Sequence, residues 1–162
     1  MKKKLIIGLG VALCLLVAAG QHMAVSVDKV YPAIEQVETG GVKDPFIRTK
    51  GHSTAYGPVQ ITGLLMKDSY VRYGGNFSKE EKEYMLRFIT QAKAFKEIGV
   101  GRYGPGGSGD LTNKTDRAMY EIVAKKIMTI KLDKSKGNVT NFIVAWRGLA
   151  DSNYIAKVKS KL

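Results

Sequence analysis

Carboxylic acids are the side chains of this sequence with the clearest capacity for chemistry. The 162 residues include two histidines and a single cysteine, Cys14, which stands in an apolar segment. A histidine-rich metal site, a Ser-His-Asp triad and thiol catalysis are therefore not expected. Glu35 and Glu38 stand one helical turn apart, and Gly40 and Gly41 follow them. The sequence predicts acid/base chemistry by carboxyl groups, with no metal and no cofactor.

Glu38 is the stronger candidate for a catalytic acid because of its position at the end of a predicted helix. Residues 26–38 carry apolar side chains at spacings of three and four, with Ser26 as the candidate N-cap. The negative end of a helix dipole disfavours ionisation of a carboxyl, and a general acid must keep its proton. The glycine pair would leave space for a sugar ring, and carboxyl chemistry is that of glycoside cleavage. The alternative is that both glutamates are solvated surface charges.

The remaining pattern predicts a mainly helical chain. Ser78 and Glu81 have the spacing of a capping box at the start of a helical segment, residues 78–99. Residues 42–55 carry no sustained period and predict a loop or a short irregular hairpin, and residues 99–110 predict a flexible glycine-rich loop. Further helices are expected to begin at Thr112 or Thr115, at Asn138 or Thr140, and at Asp151 or Ser152.

Residues 1–22 predict an export signal or a signal-anchor. Three lysines precede an uncharged run at residues 5–20, and small residues at 17–19 suit a signal peptidase. As a helix this run would be about 24 Å long, shorter than the roughly 30 Å hydrocarbon core. A cleaved signal and an anchor that slips out of the inner membrane both fit. The domain at residues 26–162 is expected in the periplasm or outside the cell.

The charge of the chain favours a polyanionic partner. The net charge is +12 and the isoelectric point is about 9.8, which suits nucleic acid, an acidic membrane face or an anionic cell wall. For an exported domain the cell wall is the expected partner, and nucleic acid is not. Nothing in the sequence requires more than a monomer.

Four short motifs occur in order along residues 30–158. They are Glu38-Thr39-Gly40, Gly57-Pro58-Val59-Gln60-Ile61, Ala145-Trp146-Arg147-Gly148 and Tyr154-Ile155-Ala156-Lys157-Val158. Their order and spacing resemble the lysozyme-like superfamily, in the branch of the lytic transglycosylases and goose-type lysozymes. The chain departs from that pattern with Thr for Ser, Pro-Val for Leu-Met and Trp-Arg for Tyr-Asn. The resemblance implies an α+β lysozyme-like fold, a helical domain around a catalytic cleft.

The resemblance also implies a role for each matching residue. Glu38 would be the general acid that protonates the glycosidic oxygen between N-acetylmuramic acid and N-acetylglucosamine in peptidoglycan. In the transglycosylases the same residue then acts as a base on the muramic 6-hydroxyl, which gives a 1,6-anhydro product. Trp146 fits a core position as well as a cleft position. The substrate-binding residues would be Thr39, Tyr56, Gln60, Trp146 and Tyr154.

Hydrolysis would require a second carboxylate, about 6.5–9.5 Å from the acid in an inverting enzyme. Asp44 is the only acidic residue between Glu38 and Gln60, and Asp44-Pro45 also fits a simple turn. This favours a single-glutamate transglycosylase. The runner-up is a hydrolytic muramidase that uses Glu35 and Asp44, whose spacing resembles the glutamate-aspartate pair of phage-type lysozymes.

Two classes of protein fit these patterns. The first is an exported peptidoglycan-degrading glycosidase, for which the short chain and glycine-rich apolar segment favour a phage endolysin over a bacterial wall-remodelling enzyme. The second is a non-catalytic lysozyme-like domain that binds glycan or a partner protein.

Overall fold

Six helices account for most of the chain that the structure describes. The computed structural model describes residues 25–46, 55–97 and 114–162. Its α-helices are α1 (Val27–Thr39), α2 (Gly63–Tyr73), α3 (Lys79–Glu97), α4 (Lys114–Lys134), α5 (Val139–Arg147) and α6 (Ser152–Lys159), with a 3₁₀ turn at Gly74–Asn76 and strands β1 (Ala55–Tyr56) and β2 (Ile61–Thr62). The predicted mainly helical chain with at most a small hairpin is confirmed. The predicted export segment, residues 47–54 and the glycine-rich loop lie outside the described residues.

Helices α3, α5 and α6 begin at predicted capping residues, whereas Thr115, a predicted start of α4, lies inside that helix. The backbone N–H of Ser78 donates to Glu81 Oε2 at 2.7 Å, and the Glu81 N–H donates to Ser78 Oγ at 3.2 Å, which is the predicted capping box. Asn138 accepts from the third residue after it, as does Asp151, and these side chains begin α5 and α6. Gly40 ends α1 with φ of +66°, a left-handed conformation that glycine adopts without strain.

Helix α2 was not predicted from the sequence. Thr62 begins α2 because its hydroxyl accepts the N–H of Leu65 at 3.1 Å. At Gly63 an added Cβ would lie 2.6 Å from the Cβ of Ala92 in α3. The missing side chain therefore allows α2 and α3 to approach closely. Glycine has a low helix propensity, so the sequence gives no sign of a helix start at Gly63. Its role in the contact between α2 and α3 appears only in the structure.

A short antiparallel hairpin is fixed to the core by Tyr120 of α4. Its strands pair Ala55 with Thr62 and Tyr56 with Ile61. The buried Tyr120 hydroxyl donates to the carbonyl of Tyr56 at 2.6 Å and accepts the N–H of Ile61 at 3.5 Å. These two contacts hold both strands at the end of the hairpin that carries the turn.

The core forms where α4 packs on α1, α3 and α5, and α6 packs on α1 and α5. One apolar cluster spans these helices and the hairpin, and the burial of its side chains drives folding. Between α3 and α4 the buried Glu81 pairs with Lys126 at 2.7 Å. Among the described helices, none combines the length and apolar character needed to cross a membrane. The contact between α1 and α6 brings the end of α1 beside the start of α6.

Candidate active site

An open pocket of about 230 Å³ lies at the C-terminal end of α1. It brings together residues from α1, the hairpin, α2 and α5 that are far apart in the sequence. Its described lining consists of Glu38, Ala55, Gln60, Thr62, Leu65, Trp146, Arg147 and Leu149. We call this cavity the Glu38 pocket. Three of its lining residues were predicted from the sequence as site residues: Glu38, Gln60 and Trp146.

The Glu38 side chain is held at one of its two carboxyl oxygens. Oε1 accepts a 2.6 Å hydrogen bond from the hydroxyl of Tyr154 in α6. The Nη1 atom of Arg147 lies 3.6 Å from the same oxygen. Within the described residues no hydrogen bond reaches Oε2. The Glu38 side chain is 16% exposed, so it is neither free in bulk solvent nor sealed in the core.

Tyr154 connects the acid to the core. Burial raises the pKa of its phenol well above the usual value, and the hydrogen bond to Glu38 raises it further. The phenol therefore stays protonated at neutral pH and acts as a hydrogen-bond donor to the carboxyl. Tyr154 does not line the pocket. The structure thus places this predicted substrate-binding residue behind Glu38, where it positions the carboxyl.

Arg147 contacts three side chains: Glu38, Tyr154 and Asp151. Its guanidinium carbon lies 4.2 Å from the centre of the Tyr154 ring, a cation–π contact. Nη2 lies 3.6 Å from Oδ2 of Asp151, the N-cap of α6. Arg147 therefore links the Glu38 carboxyl at the pocket to the start of α6.

Gln60 reaches the pocket from a strained backbone. Its φ is +56°, a left-handed conformation that is uncommon outside glycine. Both its backbone N–H and its side-chain Nε2 donate to the carbonyl of Gly57, at 3.1 Å and 2.7 Å. This double contact fixes the turn between β1 and β2. Strain of this kind is retained where the surrounding structure holds it in place and is frequent at functional sites.

Trp146 belongs both to the core and to the pocket wall. It is 7% exposed, and its ring is stacked on that of Phe142 with 6.2 Å between centroids. The part of Trp146 that lines the pocket supplies apolar wall. The burial of the ring and its stacking on Phe142 leave little of it for a sugar to stack upon.

Thr39 and Tyr56, both predicted to bind substrate, do not line the Glu38 pocket. The hydroxyl of Thr39 donates to the carbonyl of Glu35 at 2.8 Å and accepts the N–H of Gly41 at 3.2 Å. Thr39 therefore stabilises the end of α1. Tyr56 is buried, with its ring edge-to-face against Phe88. It anchors the hairpin in the core.

The alternative pair of carboxylates, Glu35 and Asp44, also lies away from the lining of the pocket. Burial raises the pKa of Glu35, and the neighbouring Glu121 raises it further. Asp44 accepts the N–H of Phe46 at 3.0 Å and pairs with Arg117 at 2.9 Å. These contacts are those of an aspartate that shapes a turn, the simpler of its two predicted roles.

Several lining residues carried no signal that sequence reasoning could use. Arg147 stood in a quoted motif but was given no role, because the resemblance has asparagine there. Its contacts with Glu38 and Tyr154 depend on the packing of α6 against α1. Leu65 and Leu149 belong to no motif in the sequence, and only the structure shows that they line the pocket.

No protein-family model, curated protein or solved structure matches this chain. Among the residues that the structure describes, no cluster of histidine, cysteine, aspartate and glutamate could hold a metal ion. What the pocket can do therefore has to be judged from its own groups. These are one carboxyl with a positioned oxygen, one guanidinium, one amide side chain and apolar walls.

Proposed function

We propose that the chain is a glycosidase that cleaves the β-1,4 bond between N-acetylmuramic acid and N-acetylglucosamine in peptidoglycan, with Glu38 as its acid and base. The observation that carries this proposal is the placement of Glu38. Its carboxyl lines an open pocket, with Oε1 occupied by Tyr154 and Oε2 without a hydrogen bond from any described residue. A carboxyl held in this way can present one oxygen to a glycan in a fixed direction.

The reaction that suits this geometry is lytic transglycosylation. Protonated Glu38 donates its proton from Oε2 to the glycosidic oxygen, the bond from that oxygen to the muramic C1 breaks, and N-acetylglucosamine leaves. The resulting carboxylate then accepts the proton of the muramic 6-hydroxyl, whose oxygen bonds to C1. A 1,6-anhydro sugar forms, Glu38 regains its proton, and no water is consumed. The hydrogen bond from Tyr154 stabilises the carboxylate between the two steps.

The acids around the pocket favour this mechanism over hydrolysis. Glu38 is the only carboxylic acid in the described lining, and an inverting hydrolase needs a second about 6.5–9.5 Å away. Asp44, the candidate for that second group, is engaged by Arg117. Hydrolysis through Glu35 and Asp44 therefore has less support than a reaction at Glu38 alone.

A non-catalytic glycan-binding domain is the second candidate, and Arg147 favours it. Its guanidinium lies 3.6 Å from Oε1 of Glu38, an ion-pair contact that can serve the structure alone. In such a domain the Arg147–Glu38–Tyr154 contacts would serve only to join α1 to α5 and α6. Catalysis remains the better proposal because Glu38 and Arg147 line an open pocket.

The biological setting that we propose is host lysis by a phage endolysin. The basic chain would be exported through its N-terminal segment, held transiently at the inner membrane, and act as a monomer on the glycan strands of the wall. A net charge of +12 would favour residence on an anionic wall. This setting rests on the sequence of the N-terminal segment and on the charge.

A zymogram on purified peptidoglycan tests the proposal, followed by mass spectrometry of the released muropeptides. We expect clearing by the parent chain and products that end in 1,6-anhydro-muramic acid. Reducing ends would show that the enzyme is a hydrolase. Absence of clearing, with retained binding to peptidoglycan in a sedimentation assay, would favour the non-catalytic domain.

A further inference from the structure

Arg147 is the only cationic side chain in the described lining of the Glu38 pocket. It is the last residue of α5, and its side chain is 35% exposed. The mechanism proposed above uses Glu38 and Tyr154 and gives Arg147 no task. A cationic side chain at the edge of a pocket that a glycan would occupy can bind an anionic group of that glycan.

The ion pairs of Arg147 are long compared with another arginine pair of the same chain. Arg117 approaches Asp44 to 2.9 Å, a distance typical of a charge-assisted hydrogen bond. Arg147 lies 3.6 Å from Glu38 and 3.6 Å from Asp151. Arg147 is thus shared between two carboxylates and lies beyond hydrogen-bond distance of both. A planar guanidinium favours a bidentate carboxylate, and this one has no such partner among the described residues.

We propose that the Glu38 pocket selects glycans that carry a carboxylate beside the scissile bond, and that Arg147 binds this carboxylate. The inference rests on the proposed function, since it names the substrate feature that the same pocket recognises. The lactyl group of N-acetylmuramic acid supplies such a carboxylate where no peptide is attached. The cation–π contact with the Tyr154 ring keeps the guanidinium at the pocket, and its long ion pairs leave it able to exchange them for a substrate carboxylate.

Binding of this carboxylate would also change the surroundings of Glu38. The groups that face the Glu38 carboxyl are the Tyr154 hydroxyl and the Arg147 guanidinium, and Asp151 faces Arg147 from the start of α6. A substrate carboxylate would draw Arg147 away from Glu38 and leave the Tyr154 hydrogen bond in place. Recognition of the carboxylate would therefore rearrange the contacts of the Glu38 side chain.

Two matched tetrasaccharides of alternating N-acetylglucosamine and peptide-free N-acetylmuramic acid test the inference. One carries free lactyl carboxylates and the other carries lactyl methylamides. We expect the full-length chain to cleave the carboxylate form with a kcat/KM at least about tenfold higher, the size expected for a charged hydrogen bond. This comparison within the parent chain does not depend on the folding of any variant.

Variants at one position and a matched control refine the test. Arg147→Ala should bring the ratio of the two kcat/KM values close to one, mainly by slowing cleavage of the carboxylate form. Arg147→Lys should keep part of the preference because it keeps the charge without the bidentate edge. Arg72→Ala, which removes an exposed arginine of α2 outside the pocket lining, should leave the ratio unchanged.

Calorimetric binding to the Glu38→Gln variant separates this inference from the proposed function. With the competing carboxylate removed, this variant should bind the carboxylate tetrasaccharide about tenfold more tightly than the methylamide. Equal cleavage of both substrates by the parent would overturn the role of Arg147 and leave the proposed function standing. Carboxylate-selective binding without any cleavage would support the role of Arg147 and overturn the proposed function. Loss of both cleavage and selective binding would overturn both proposals.

Discussion

The hydroxyl of Tyr154 lies 2.6 Å from Oε1 of Glu38, although the two residues are 116 positions apart in the sequence. The contact joins the last turn of α1 to the first turn of α6. It fixes which carboxyl oxygen remains for a ligand and ties the candidate acid to the packing of α6.

Glu38→Gln is the most direct test of the catalytic proposal. The amide keeps the shape of the side chain but cannot transfer the proton, so we expect lysis of peptidoglycan to fall at least about 100-fold. The measurement is turbidity loss of purified cell walls, with thermal unfolding to confirm that the variant folds.

Glu35→Gln is the matched control for Glu38→Gln. Glu35 lies one turn earlier on α1 and does not line the pocket. We expect its lytic rate to stay close to that of the parent. If Glu35→Gln were inactive and Glu38→Gln active, the runner-up pair of Glu35 and Asp44 would replace our assignment.

Tyr154→Phe should affect turnover more than binding. The variant loses the hydroxyl that positions Glu38 and keeps the ring beneath Arg147, so kcat should fall about tenfold or more with little change in KM. The free energy of unfolding should fall by about 1–3 kcal/mol because a hydrogen bond to a charged group is lost. Steady-state kinetics on solubilised glycan and urea unfolding measure the two effects. A raised KM with unchanged kcat would instead show that Tyr154 binds substrate.

The folded chain should lose stability as the pH rises above about 10. Burial raises the pKa of Tyr31, Tyr120 and Tyr154, and negative charges or phenols nearby add to it. Below the pKa of an unfolded tyrosine both states hold the proton and the stability is fully present. Above it the unfolded chain ionises first, and each of these phenols lowers the free energy of unfolding by about 1.4 kcal/mol per pH unit.

Urea unfolding between pH 8 and pH 11 tests this alkaline loss. In Tyr154→Phe the slope above about pH 10 should be shallower by one proton, roughly 1.4 kcal/mol per unit. An unchanged slope in that variant would show that Tyr154 ionises equally well in the folded chain.

Substitutions of Gln60 should separate backbone strain from side-chain function. Gln60→Gly relieves the positive φ but loses the side-chain hydrogen bond to the Gly57 carbonyl, so its stability should stay within about 1 kcal/mol of the parent. Gln60→Ala loses the same contact and keeps the strain, so it should be about 1 kcal/mol less stable than Gln60→Gly. If the side chain serves the pocket, both should lose lytic activity equally. Full activity in Gln60→Gly would limit Gln60 to a role in the turn.

Local sequence signals were sufficient for most helix boundaries. Ser78, Asn138 and Asp151 act through contacts within a few residues, so their spacing predicts the cap without knowledge of the fold. The start of α2 was not predicted, because glycine has a low helix propensity, whereas in the structure Gly63 allows the close approach of Ala92 in α3. Contacts of that kind leave no local trace.

The candidate site also combines residues that local sequence predicts with residues that only helix packing places. Glu38 stands at a helix end that the sequence shows, and Gln60 stands in a turn that the sequence also shows. The positions of Tyr56, turned into the core, and Tyr154, behind the carboxyl, depend on how α4 and α6 pack. Arg147 depends on the same packing, so a list of motifs could place it near the site but could not give its contacts.

The order of synthesis on the ribosome gives the link between α1 and α6 a further meaning. Glu38 is made early and waits for a phenol that emerges 116 residues later. Until then a nascent chain carries the candidate acid without the hydroxyl that orients it, so the Glu38 carboxyl is positioned only after α6 has been made.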